Sequence, residues 1–146
     1  MTLKDWQSNG WLQGHRTSPS EVRQLFEAAK SDLENAATKG LSAAWSFNIA
    51  YNAALHLCNL ALAAEGYRAT RDNKHYRTIA ALELILGDQA SDLVAFLDHC
   101  RTMRHDITYE GVDRVSRAEA DELIKAVREL QALVVAWLKR SHPDLN

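Results

Sequence analysis

The sequence predicts an all-α fold, an antiparallel up-and-down bundle of four main helices plus one short helix. Three observations predict it. The 146 residues include only 6 Gly and 2 Pro, too few for an all-β chain, which needs a turn about every 8–12 residues. Apolar residues recur with helical rather than alternating spacing. Glycines and capping residues fall between the periodic stretches, where helices start and stop. At 47% hydrophobic and 25% charged residues, the composition excludes disordered, collagen-like and low-complexity classes. The length corresponds to one domain.

Residues 1–17 are polar, with Gly10, Gly14, Trp6 and Trp11, and read as an irregular N-terminal arm. A bundle over 18–142 and a short tail over 143–146 follow. Ser18-Pro19-Ser20-Glu21 is a helix start: a serine cap, proline at the first helical position, and glutamate three residues after the serine. The first helix runs to about Thr38 with Val22, Leu25, Phe26, Ala29 and Leu33 on its apolar side, and Gly40 ends it. The second runs from about Leu41 to Glu65, where Gly66 terminates it. It is apolar nearly all round, which marks the central helix of a bundle. A polar connection over 67–77 leads to a short third helix, about Tyr76–Leu86, stopped by Gly87. Asp88 is expected to cap a fourth helix that runs to about Tyr109 and breaks at Gly111. Ser116 with Glu119 forms a second capping pattern and opens a fifth helix to about Arg140, amphipathic through Leu123, Ile124, Val127, Leu130, Val134, Trp137 and Leu138.

Composition also bounds function. A formal net charge of −2 argues against a globally basic nucleic-acid binder, so an anionic partner would have to meet a local patch. Residues 1–11 hold Lys4, Asp5, Gln7, Ser8 and Asn9 and show no apolar core of a signal peptide. The apolar stretch Leu41–Ala64 is interrupted by Ser46, Asn48, Asn52, His56 and Asn59, which suits a buried helix better than a membrane span. Cys58 and Cys100 form no Cys-x-x-Cys pair and read as reduced, buried thiols. A cytoplasmic setting without membrane attachment is the resulting expectation.

Three features could carry chemistry. On the second helix, Asn48, Asn52, His56 and Asn59 are spaced by four, four and three, which puts them on one face. They form either a thin solvated stripe with amides bonded to neighbouring helices, or a cleft or self-association face. On the fourth helix, Arg104 falls inside the apolar stripe of Leu93, Phe96, Leu97, Cys100, Met103 and Ile107. A charge there is costly unless it is paired or faces a wet cleft or an interface. It is either one half of an internal salt bridge or a phosphate-binding arginine, since guanidinium matches phosphate bidentately. His105 follows it, Tyr109 stands about one turn on, and Arg101 lies one turn before. In the 67–77 connection, Arg68, Arg71, Lys74 and Arg77 face only Asp72, with Tyr67 and Tyr76 flanking. This is a solvated loop or an electrostatic and stacking platform for RNA or nucleotide phosphate. No two histidines are spaced i,i+4 and no glycine-rich phosphate loop is present, so no metal and no cofactor are expected. A histidine pair across helices, His56 with His99, is the one metal arrangement left open.

Two segments resemble the HEPN-domain family, small bacterial helical-bundle proteins of defence and toxin–antitoxin systems. One is Ala44-Trp45-Ser46-Phe47-Asn48-Ile49-Ala50-Tyr51-Asn52-Ala53-Ala54-Leu55, followed by Ala64-Glu65-Gly66-Tyr67-Arg68. It is similar to the family's small-residue second helix that ends in glycine. The other is Arg104-His105-Asp106-Ile107-Thr108-Tyr109-Glu110, which resembles the family's motif of Arg, a polar residue, three variable residues and His. Arg104 matches the arginine and His105 the polar position, while Tyr109 stands where the catalytic histidine is usual. The resemblance covers about residues 20–140. It implies a homodimer whose two motif helices line a shared cleft, which in active members is a metal-independent endoribonuclease site. There the arginine steadies the scissile phosphate and the histidine assists attack by the ribose 2′-hydroxyl. Members without the full motif imply a second role, a non-catalytic nucleotide- or RNA-binding module pairing with a nucleotidyltransferase-like antitoxin partner.

Overall fold

A computed structural model describes residues 1–110 and 115–146, the side chains of 106–110 excepted. The chain is an all-α helical bundle carrying one small two-stranded sheet. In chain order the elements are α1 (Leu3–Ser8), β1 (Leu12–Gly14), α2 (Pro19–Ala36), α3 (Ala43–Ala64), β2 (Tyr67–Ala69), α4 (Lys74–Leu86), α5 (Ser91–Glu110) and α6 (Arg117–Ser141). A 3-10 turn at Asp88–Ala90 precedes α5 and another at Pro143–Leu145 follows α6.

The central position expected of α3 holds. It packs against α2, α4, α5 and α6, and 14 of its 22 residues are buried, which is why so little of its surface is polar. Alanines at 50, 53, 54 and 61 are fully buried and let the neighbouring helices approach closely. α6 buries Leu123, Val127, Leu130, Val134 and Trp137 against it. Each such side chain contributes about 1.5–3 kcal/mol by leaving water.

Local signals account for the starts of α2 and α6. Ser116 and Glu119 form a reciprocal capping box at α6. Ser18 accepts the Glu21 amide at 3.1 Å and Pro19 opens α2. The Glu21 carboxylate does not complete that box. It accepts instead from the Thr17 hydroxyl at 2.5 Å and pairs with His15 Nε2 at 2.7 Å.

Three expectations are corrected. Residues 1–17 are not irregular. Thr2 and Asp5 box the start of α1, and β1 pairs antiparallel with β2, Leu12 opposite Ala69, Gln13 opposite Arg68 and Gly14 opposite Tyr67. The reason is burial: Leu12, Leu62, Ala69 and Ala81 form a second apolar cluster on which Leu3, Trp6 and Tyr67 rest. Secondly, the 67–77 connection is not a loop throughout. It comprises β2, a turn, and the first residues of α4. Thirdly, Asp88 does not cap α5, since it opens the 3-10 turn, which has no side-chain cap. Gly87, at φ 81°, makes the backbone reversal before it, a conformation that an L side chain resists. Gly111, the expected end of α5, lies outside the described residues.

Candidate functional site

The arginine that looked misplaced within the α5 stripe meets an aromatic face. Arg104 is half-buried, and its guanidinium carbon lies 4.9 Å from the centroid of the Tyr51 ring on α3. A cation over an aromatic face is attracted by the ring quadrupole, by about 0.5–2 kcal/mol depending on how dry the site is. Tyr51 itself has no exposed surface, and its hydroxyl has no hydrogen-bond partner among the described residues. Burial pushes that phenol up to about 12, against the opposite pull of Arg104 and Arg101.

A third group comes from α4. The His75 ring lies 6.3 Å from the Tyr51 ring, centroid to centroid and tilted by 58°. His75 reaches solvent. Desolvation of its inner side, then the charges of Arg104, Lys74 and Arg101, hold the imidazole below its ordinary value of 6.5, so it is neutral at pH 7. Next to it, Tyr76 is 44% exposed, and the Arg101 guanidinium carbon lies 5.5 Å from its ring. Arg101 Nε also donates to Asp98 Oδ1 at 2.8 Å. Two arginines one turn apart on α5 therefore sit beside the first turn of α4, above a buried tyrosine.

The backbone before α4 helps to place these groups. Asn73 adopts the left-handed conformation, φ 52° and ψ 38°, and gives the helix no side-chain cap. Asparagine tolerates this conformation better than most residues. The chain thus turns sharply and delivers Lys74, His75 and Tyr76 in succession.

The other expected site residues are distributed as follows. His105 is exposed on α5; the Tyr109 side chain lies outside the described residues. The basic run divides in two. Arg68 on β2 lies beside the Gln13 side-chain amide, whose oxygen accepts from Nη2 at 2.8 Å once the amide is turned to face it, and Arg77 stacks on Trp11 at 4.1 Å. Both are thus engaged with the N-terminal segment. Arg71 and Lys74 are exposed, and Lys74 adds its charge beside His75. The stripe of Asn48, Asn52, His56 and Asn59 is half-buried along α3. His56 Nε2 lies 3.3 Å from Asp32 Oδ2 of α2, and His99 is exposed. Among the described residues, no three His, Cys, Asp or Glu side chains gather in a way that could hold a metal ion. No helix among them is long and apolar enough to cross a membrane.

Sequence reasoning missed Tyr51 and His75, and gave Tyr76 only as a flank of the basic run. The available signals were a phenol set in the apolar α3 and a histidine–tyrosine pair inside the basic run, but neither says which helix faces which. No protein-family model, no curated protein and no solved structure matches this chain.

Proposed function

We propose that this protein is a HEPN-like homodimer with a phosphate-directed cleft, acting as a metal-independent endoribonuclease of toxin–antitoxin or defence type. Arg104 is the phosphate ligand in this reading. Arg101 adds positive potential, and His105 and Tyr109 are the motif's remaining polar groups. The observation that carries the proposal is the gathering of Arg104, Arg101 and His75 around Tyr51 and Tyr76. Two guanidiniums and an imidazole beside one another suit a phosphodiester, whose charge they offset and whose protons they can move. The test is RNA cleavage by purified protein in the presence of a chelator. Arg104→Ala should abolish cleavage and weaken RNA binding while the helical circular dichroism persists. An Arg104→Ala protein that cleaves RNA as the wild type does would end the proposal.

Tyr109 in place of histidine favours a second reading, a non-catalytic nucleotide- or RNA-binding module that pairs with a nucleotidyltransferase-like partner. Its signature is RNA or nucleotide binding that depends on Arg104, with no cleavage, and a stoichiometric partner on co-purification.

A further inference from the structure

A phosphodiester site that works through the 2′-hydroxyl needs a group to take its proton. The motif helix offers Tyr109 at the place where that group would stand, and a phenol with an ordinary pKa near 10 is a poor acceptor at neutral pH. We infer that His75, delivered from the first turn of α4, is the proton acceptor of this site. The inference rests on the phosphate-directed reading of Arg104.

Geometry supports it first. Both groups border the Tyr51 ring, with Arg104 4.9 Å from its centroid and the His75 ring 6.3 Å from it. Arg104 is also close enough for its charge to act on the imidazole, which opens to solvent on its other side. His105, the other histidine at hand, is one residue from Arg104 and so roughly 100° further round α5, on its exposed side.

Charge supports it second. The groups around His75 are Lys74 on its own helix, Arg101 and Arg104 on α5 with Asp98 bonded to Arg101, and the Tyr51 phenol on α3. Partial desolvation, and then the net positive field, hold the imidazole below its ordinary value and so favour the neutral form, which is the form that accepts a proton. The arginines that bind the phosphate thus also keep the base in its working state.

In the reaction, a ring nitrogen of His75 takes the 2′-hydroxyl proton as the 2′-oxygen bonds to phosphorus. The bond from phosphorus to the 5′-oxygen breaks. The proton is passed back to that oxygen through solvent, leaving a 2′,3′-cyclic phosphate and a 5′-hydroxyl. No further reactant is consumed.

The experiment compares wild type, His75→Gln, His105→Gln and Arg104→Ala. Cleavage of a single-stranded RNA is followed by mass analysis of the ends, and binding is followed with a 2′-O-methyl oligonucleotide that cannot be cleaved. His75→Gln is expected to lose cleavage by about 100-fold or more while oligonucleotide binding and the melting temperature are unchanged. Wild-type activity should hold at pH 6.5, the ordinary histidine value, and fall only as pH drops through the lowered value of His75, and that acidic limb should be absent from the residual His75→Gln activity. Full cleavage by His75→Gln alongside an inactive Arg104→Ala would overturn the inference and leave the phosphate-directed reading standing. Equal loss of binding and cleavage in His75→Gln would also overturn it, by making His75 a binding group. A wild-type protein that binds RNA without cutting it would overturn both this inference and the nuclease reading.

Discussion

Replacing Tyr51 by phenylalanine should stabilise the protein. The hydroxyl is buried and has no hydrogen-bond partner among the described residues, so it bears a desolvation cost of about 1–3 kcal/mol. Phenylalanine removes that cost and sacrifices no bond. It also keeps an aromatic face beneath Arg104, and the cation–ring attraction is largely a property of the face. The only loss is the packing of one oxygen atom, worth tenths of a kcal/mol at the scale of about 0.1–0.2 kcal/mol per atom contact. The expected balance is a gain of about 1 kcal/mol, or about 3 °C in Tm for a chain of this size. Urea unfolding should show a raised midpoint with an unchanged slope. A Tyr51→Phe protein less stable than wild type by about 1 kcal/mol would refute the reasoning, because it would mean the hydroxyl is bonded in the native state.

Three other perturbations follow from the described contacts. Leu12→Ala should cost about 2–5 kcal/mol, since Leu12 is 2% exposed within the second apolar cluster; a thermal melt that matches wild type would show the N-terminal segment to be dispensable. The Glu21 carboxyl is held below its ordinary value of 4.5 by the Thr17 hydroxyl and then by His15. Its stabilisation is therefore complete above pH 4.5 and is lost as pH falls through the lowered folded value. Glu21→Gln should melt earlier at pH 7 and lose part of the wild type's acid sensitivity, measured as Tm from pH 7 down to pH 3. Burial pushes the Cys58 thiol far up and the Cys100 thiol to about 12, so an aromatic disulfide reagent should label neither in the native protein and both in guanidinium; prompt native labelling would contradict the burial.

Helix positions were legible because their signals are local. Ser18-Pro19 and the Ser116–Glu119 pair satisfy amides within four residues of themselves, and Gly66 and Gly87 adopt left-handed backbone where helices stop. The N-terminal segment was not legible. Its stability comes from Leu12 and Trp6 resting on Leu62 and Ala81, contacts between residues far apart in the chain that leave no period in the sequence. At the site, Arg104 was legible as a charge inside an apolar stripe. Its counterpart was not, because α3 is apolar nearly all round, and an all-round pattern cannot say which residue faces α5. His75 was hidden for a related reason. Its role depends on the start of α4 standing next to α5, which follows from tertiary packing and from the left-handed turn at Asn73.

The pairing of β1 with β2 also shapes the order in which the chain assembles. Helical hairpins such as α2–α3 close over a handful of residues, but the β1–β2 ribbon joins residues 12–14 to 67–69 and must first enclose both α2 and α3. Ring closure of that length carries more entropy loss than the hairpins do, so the ribbon is the last part to dock and the first to open. The amides of His15 and Thr70, bonded across it to the carbonyls of Gly66 and Trp11, should then exchange with solvent ahead of those within α3. Because Arg77 is stacked on Trp11, each opening event also releases that contact from the first turn of α4, the turn that carries His75 and Tyr76.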